Sequence, residues 1–170
     1  FLPLGDNGWV FSSSEGARPP RLTIESAEVR REQIVRLGDR WMYWKGRSGP
    51  PAGWSDFELT PGSGWLAGPT GIGYGDGDDA TVLSDMMGNY ASIYCRREIT
   101  VSWPDEISLL ILSIDYDDGF VAYLNKVEVA RSASMGPPGS PVSVGTLAAP
   151  RDAGLVEAYH LEESLLVEGK

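Results

Sequence analysis

Twenty-one glycines and twelve prolines are spread through this chain of 170 residues, and that spacing limits every regular element to a short one. Glycine and proline are the strongest local punctuation a sequence has. Between them lie brief runs of alternating, β-branched and aromatic residues, with no long amphipathic helix and no internal repeat. Short strands separated by many turns predict an all-β domain, most economically an antiparallel β-sandwich. A chain of this length suits one domain and can bury most of its unfolded surface.

Residues 1–20 read as an extended leader, because Gly5-Asp6-Asn7-Gly8, a serine run and Pro19-Pro20 break any pattern. The domain proper is expected over 21–170. Leu22–Glu25 and Ile34–Leu37 alternate like short strands, with a charged helical turn between them over 26–33. Trp41–Lys45 reads as an aromatic strand. A loop over 46–64 follows, with Trp54 and Phe57 as its anchors to the body. The longest strand candidate is Ala91–Val101, ended by Pro104. Leu109–Ile114 is almost unbroken apolar sequence, the pattern of a central strand covered on both sides. Phe120–Leu124 and Val127–Ala130 flank Asn125-Lys126, a two-residue hairpin slot. A Pro/Gly/Ser-rich loop over 132–150 comes next, and Glu157–Val167 predicts a strand running into a short helical turn before Gly169. Trp41, Trp44 and Trp103 are expected in the core or packed between loops.

Two acidic loops carry the distinctive chemistry: Gly73-Tyr74-Gly75-Asp76-Gly77-Asp78-Asp79-Ala80-Thr81 and Asp115-Tyr116-Asp117-Asp118-Gly119. Crowded carboxylates repel unless water or a cation screens them. Calcium takes six to eight oxygens from carboxylates and carbonyls, with glycine permitting the tight turn. Asp76, Asp78, Asp79, Asp117 and Asp118 are therefore the candidate calcium ligands. Solvated turns are the plainer reading, because Asp and Gly are also ordinary turn residues. Tyr74 and Tyr116 lie inside these loops. Their flat faces, next to carboxylates that accept hydroxyl hydrogen bonds, make them candidate carbohydrate-binding residues.

Other classes fit poorly. The net charge of −10 opposes a nucleic-acid surface, which needs clustered Lys and Arg, and equally opposes docking on anionic lipid. No run of roughly twenty apolar residues is present to insert into a bilayer, and no signal peptide is visible. The start at Phe1 rather than Met carries the expectation of a processed or trimmed N-terminus and does not decide export. Cys95, the single cysteine, reads as a small core residue of a strand. His160 has no second His or Cys with which to share a zinc, and no Gly-x-Ser-x-Gly elbow accompanies it. The Gly71–Gly75 run lacks the Lys and the helix of a phosphate loop. Among enzymes, a glycosidase pairing Asp76 or Asp79 with Asp117 or Asp118 is the best candidate. Its weakness is that general-acid work needs one carboxyl isolated in apolar surroundings, whereas each of these has carboxylate neighbours.

Taken together, Trp41-Met42-Tyr43, Trp54 with Phe57 and Trp65, the whole of 73–81, Asn89-Tyr90 before Arg96-Arg97, and 117–125 with 128–131 resemble a bacterial extracellular module. That module has a galactose-binding-like jelly-roll fold. It occurs in large secreted or surface proteins with lamin-tail, CotH-like or metallophosphoesterase domains. The resemblance covers roughly 40–169. It implies a non-catalytic accessory domain, extracellular or on the cell surface, that binds carbohydrate or braces neighbouring domains. Fold likeness alone supplies no ligand. The module has glycine where this chain has Lys126, which makes a turn with positive φ at both central residues harder. It also continues past Leu165–Lys170 into a further apolar strand. That strand is expected from more chain or from another copy, and the second case would make the protein a subunit assembled by strand exchange.

Overall fold

The computed structural model describes residues 31–56, 58–75 and 77–169, of which all but Arg31 and Glu32 belong to one unit, Gln33–Lys170. The expected leader, the strand at Leu22–Glu25 and most of the helical turn over 26–33 lie outside the described residues. The described chain is β-rich and contains no α-helix. Its strands are β1 (Arg40–Lys45), β2 (Leu66–Pro69), β3 (Ile72–Gly73), β4 (Thr81–Val82), β5 (Ile93–Arg96), β6 (Leu110–Ile114), β7 (Val121–Leu124), β8 (Val127–Arg131) and β9 (Glu157–Leu161). Three 3-10 turns, at Pro104–Glu106, Ala133–Met135 and Glu163–Leu165, complete it. No helix among the described residues is long and apolar enough to cross a membrane.

β1 is the centre of a three-stranded antiparallel sheet in the order β2-β1-β5. Its sequence, Trp41-Met42-Tyr43-Trp44, is the aromatic-rich kind that fits a pleated surface covered on both faces. Met42 stands opposite Ala67 on one side and Arg96 on the other, and Tyr43 is buried. Trp44 packs on Trp65 at 5.9 Å between ring centroids. The long loop after β1 is held as expected at Trp54. Its ring meets Tyr94 of β5 edge-on at 5.2 Å and Tyr123 of β7 at 5.8 Å, so one side chain joins two ladders. The other expected anchor, Phe57, lies outside the described residues.

The remaining ladders are two-stranded among the described residues: β7-β8, β6-β9 and the parallel pair β3-β4. In the β7-β8 hairpin Asn125 and Lys126 both take positive φ, 48° and 73°. Lysine in that region costs about 1–2 kcal/mol relative to glycine, and two bonds hold it there. Asn125 Nδ2 donates to the Leu165 carbonyl at 2.8 Å, and Lys126 Nζ pairs with Asp56 at 2.5 Å. The strand and turn expected at Glu157–Val167 form as β9 and the 3-10 turn that follows it.

Four expectations are corrected. Ile34–Leu37 forms no strand: Arg36 N–H donates to the Asp39 carboxylate at 2.8 Å, the chain turns at Gly38, and Leu37 is exposed. The candidate Ala91–Val101 shortens to β5. Beyond it, Arg97 turns aside to bond the Arg40 carbonyl at 3.2 Å and to pair with Asp39 at 3.1 Å. β6 is not covered on both faces. Leu110, Leu112 and Ile114 are half-buried, but Ile111 and the preceding Leu109 are exposed. A short apolar run by itself does not reveal whether one face or two will be covered. Trp103 is not packed away either, since 62% of its surface is exposed.

β2 and β4 approach closely where Gly68 faces Thr81. A Cβ on Gly68 would lie 2.2 Å from Thr81 Oγ1, the hydroxyl that donates to the Pro69 carbonyl at 2.7 Å. Gly68→Ala must push the two segments apart, an overpacking cost of roughly 1–3 kcal/mol. The expected fall in thermal midpoint is roughly 2–12 °C, while Gly62→Ala, with open space around it, should melt close to wild type. Equal midpoints for the two variants would show that the contact does not constrain the fold.

Candidate functional site

The first acidic loop links β3 to β4, two strands of two residues each that run parallel. Thr81 N–H donates to the Gly71 carbonyl at 2.9 Å and Leu83 N–H to the Gly73 carbonyl at 2.7 Å. Parallel strands ordinarily need a crossover of a dozen or more residues. Here the ladder is short enough for residues 74–80 to make the return, helped by Gly75 and Gly77 at positive φ. Leu83, next in the chain, is only 2% exposed, so the far end of the loop is fastened in the core. Asp79 folds back over β3. A Cβ on Gly73 would stand 2.8 and 2.9 Å from its two carboxylate oxygens, so glycine at 73 is what admits that carboxylate. Asp78 is exposed and Tyr74 is 37% exposed. Asp76 lies outside the described residues.

The second acidic loop is a clamp on another loop. Both oxygens of Asp115 accept the Gly154 N–H, at 2.9 and 3.0 Å. Asp118 and Arg151 bond reciprocally: Asp118 N–H donates to the Arg151 carbonyl at 2.9 Å, and Arg151 N–H donates to Asp118 Oδ1 at 3.2 Å. Asp118 makes this bond at a φ of 57°, a conformation that Asp tolerates better than most residues. The Arg151 guanidinium lies 3.8 Å from the centroid of the Tyr116 ring and donates to the Tyr116 and Leu155 carbonyls. Tyr116 also packs edge-on against Phe120 at 4.7 Å.

Glu157 of β9 completes this cluster by accepting the Tyr116 hydroxyl at 2.8 Å and the Tyr159 hydroxyl at 2.5 Å. Those two donors, Tyr159 first, hold the Glu157 carboxyl below its ordinary range against the opposing effect of burial. The same bond to Glu157 is the main reason that Tyr159 is pushed up to about 12. Tyr116 is raised as well, chiefly by burial and then by Glu157. One face of Tyr116 is thus covered by Arg151 and its hydroxyl is engaged. The loop does not present it as the open stacking surface that the sequence suggests.

Among the described residues the two acidic loops serve different segments. Asp78, Asp79 and Tyr74 belong to the β3–β4 return, whereas Asp117, Asp118 and Tyr116 belong to the clamp on 151–155. Among the described residues no group of three or more His, Cys, Asp or Glu is arranged to hold a metal ion. Asp118 Oδ1 already accepts the Arg151 N–H at 3.2 Å. His160 is exposed on β9, opposite Ile111. Cys95 stands in β5 with its thiol pushed up to about 12 by burial, as suits a structural residue. Arg151 carried no signal in the sequence, because its partners come from 115–118, 155 and 157.

A second cluster escaped the sequence reading. Asp85 accepts Lys45 Nζ at 2.8 and 2.9 Å, Arg47 at 2.7 Å and the Tyr90 hydroxyl at 3.0 Å. These bonds tie the end of β1 to the loop over 83–90. The bond from Lys45, then that from Arg47, hold the Asp85 carboxyl far below its ordinary value of 3.8. A group depressed in the folded state contributes stability that is fully present above the unfolded value and is lost as pH falls through the folded one. Asp85→Asn should therefore melt below wild type at pH 6, with the gap narrowing as the pH is lowered past 3.8. Exposure of the cluster keeps the gap modest. A gap independent of pH would show that the carboxylate's charge plays no part.

No protein-family model matches this chain, and no curated protein or solved structure was found to match it.

Proposed function

We propose that this chain is a non-catalytic carbohydrate-binding module, a β-sandwich of jelly-roll type that works as an accessory domain of an extracellular or cell-surface protein. The observation that carries the reading is that Trp103 and Tyr74 are exposed on a β-rich frame, each close in the chain to carboxylates. In the second acidic loop, Asp115 and Asp118 accept backbone N–H groups and hold a neighbouring loop. Asp56, Asp85, Glu128 and Glu157 are all held toward the ionised form by the groups that donate to them. None of these four has the raised value that a general acid needs. Exposed aromatic residues at Trp103 and Tyr74, close in the chain to acceptor carboxylates, suit recognition of polyhydroxyl ligands.

Calcium belongs to this proposal at the first loop only, with Asp78 and Asp79 as its described donors and Asp76 completing the sequence motif. A bound cation there would screen the crowded carboxylates and stiffen the β3–β4 return. A ligand held by the native state alone must raise stability, so EDTA is expected to lower the thermal midpoint and added calcium to restore it. An unchanged midpoint in EDTA removes calcium from the proposal.

The carbohydrate reading is tested by native gel electrophoresis through galactan, xylan, mannan and mixed-linkage β-glucan, with reducing-sugar assays of the same mixtures. Retardation by at least one polymer without release of reducing ends is the expected result. Release of reducing ends would replace the module with a hydrolase, and no retardation by any polymer would overturn the carbohydrate reading.

A further inference from the structure

Trp103 combines three properties that stability alone does not explain. The residue is 62% exposed, so it contributes little to the core. Its backbone is left-handed, with φ 58° and ψ 59°, in a chain where left-handed non-glycine residues otherwise fall at Asp118, Asn125 and Lys126 among the described residues. It also precedes Pro104, and a residue before proline is driven toward extended conformations. A bulky side chain kept in an unfavourable backbone region and turned to solvent is the kind of outlier from which function is properly inferred.

Backbone hydrogen bonds hold the position in place. Glu106 N–H donates to the Trp103 carbonyl and Ile107 N–H to the Pro104 carbonyl, both at 3.0 Å, closing the 3-10 turn Pro104–Glu106. Two residues before Trp103, Val101 is 3% exposed, and its carbonyl accepts the Gly169 N–H at 3.0 Å. The backbone of the turn is thus rooted in the core, which lowers the ordering cost of binding there. Asp105 and Glu106, both exposed, follow it on the same turn.

We propose that the Ser102–Glu106 turn is the carbohydrate site, with Trp103 as the platform for one face of a neutral pyranose and Asp105 and Glu106 accepting hydrogen bonds from its hydroxyls. This rests on the carbohydrate reading above and moves the site away from Tyr74 and Tyr116. The two carboxylates repel uronates, sulfated sugars, phosphates and anionic lipid. A quaternary ammonium ion also favours an aromatic face beside carboxylates, and the experiment includes it as a competitor.

The test uses the whole chain in the same affinity gels, comparing wild type with Trp103→Ala, Trp103→Tyr and the double variant Asp105→Asn/Glu106→Gln. Because the ring is exposed, Trp103→Ala should melt as wild type does while its affinity for the retarding polymer falls roughly tenfold or more. Trp103→Tyr, which keeps a flat ring, should recover part of the binding. The double variant should weaken binding with the ring intact, and it decides the matter should Trp103→Ala fail to fold. Unaltered retardation of the folded variants overturns this site and leaves the carbohydrate reading standing. Absence of retardation in wild type overturns both. Competition by tetramethylammonium but not by free monosaccharide overturns the sugar in favour of a cation.

Discussion

Hydrogen-bonded ladders are brief throughout this fold. Among the described residues the longest strand, β1, has six residues, and β3 and β4 have two each. Much of the backbone therefore lies outside any ladder, and its carbonyl groups need other partners. Arginine supplies many of them. Arg131 bonds both oxygens of Glu128 at 2.7 Å and the Met135 and Ser140 carbonyls at 2.6 and 3.0 Å. Arg97 reaches the Arg40 carbonyl, Arg40 the Ala67 carbonyl and Arg151 the carbonyls of Tyr116 and Leu155. A planar guanidinium with five donors can bind two segments at once, which an ammonium does less well. Arg131 is buried, so removing Glu128 would leave an uncompensated charge there.

The two acidic loops look alike in sequence, yet the structure employs them differently. Residues 74–80 carry the chain between two parallel bridges, and Asp79 is accommodated because Gly71 and Gly73 leave room beneath it. Residues 115–119 grip the segment 151–155 from Asp115 and Asp118, with Arg151 stacked on Tyr116. Asp–Gly density announces that a loop will be tight and charged. Whether its carboxylates face a cation, a backbone N–H or water depends on which remote segment arrives beside them.

Legibility in the sequence followed the range of the interactions. The hairpin at Asn125-Lys126, the aromatic strand β1 and the strand-to-turn passage at Glu157–Leu165 were readable because neighbouring residues specify them. The early end of β5 and the loss of a strand at Ile34–Leu37 were not, because Asp39 intervenes in both: it accepts the Arg36 N–H and pairs with Arg97, across 58 positions. Apolar content indicated that Leu109–Ile114 would form a strand, but could not reveal that Ile111 would face outward. Trp103 was misread for the same reason, since a tryptophan's identity does not state which side of a turn it will occupy.

By itself the sequence determined a β-rich chain of short strands and two acidic loops, because glycine, proline and aromatic placement act on backbone dihedrals within a few residues. Only the tertiary structure decided that Arg151 would hold the second loop, that Asp85 would gather Lys45, Arg47 and Tyr90, and that Trp103 would stand in solvent. Each of these depends on segments brought together by burial of Tyr43, Trp65, Leu83, Val101, Ala130 and Leu166. Hydrophobic burial is non-directional, so it draws such segments together without recording in any local motif which polar side chains will meet.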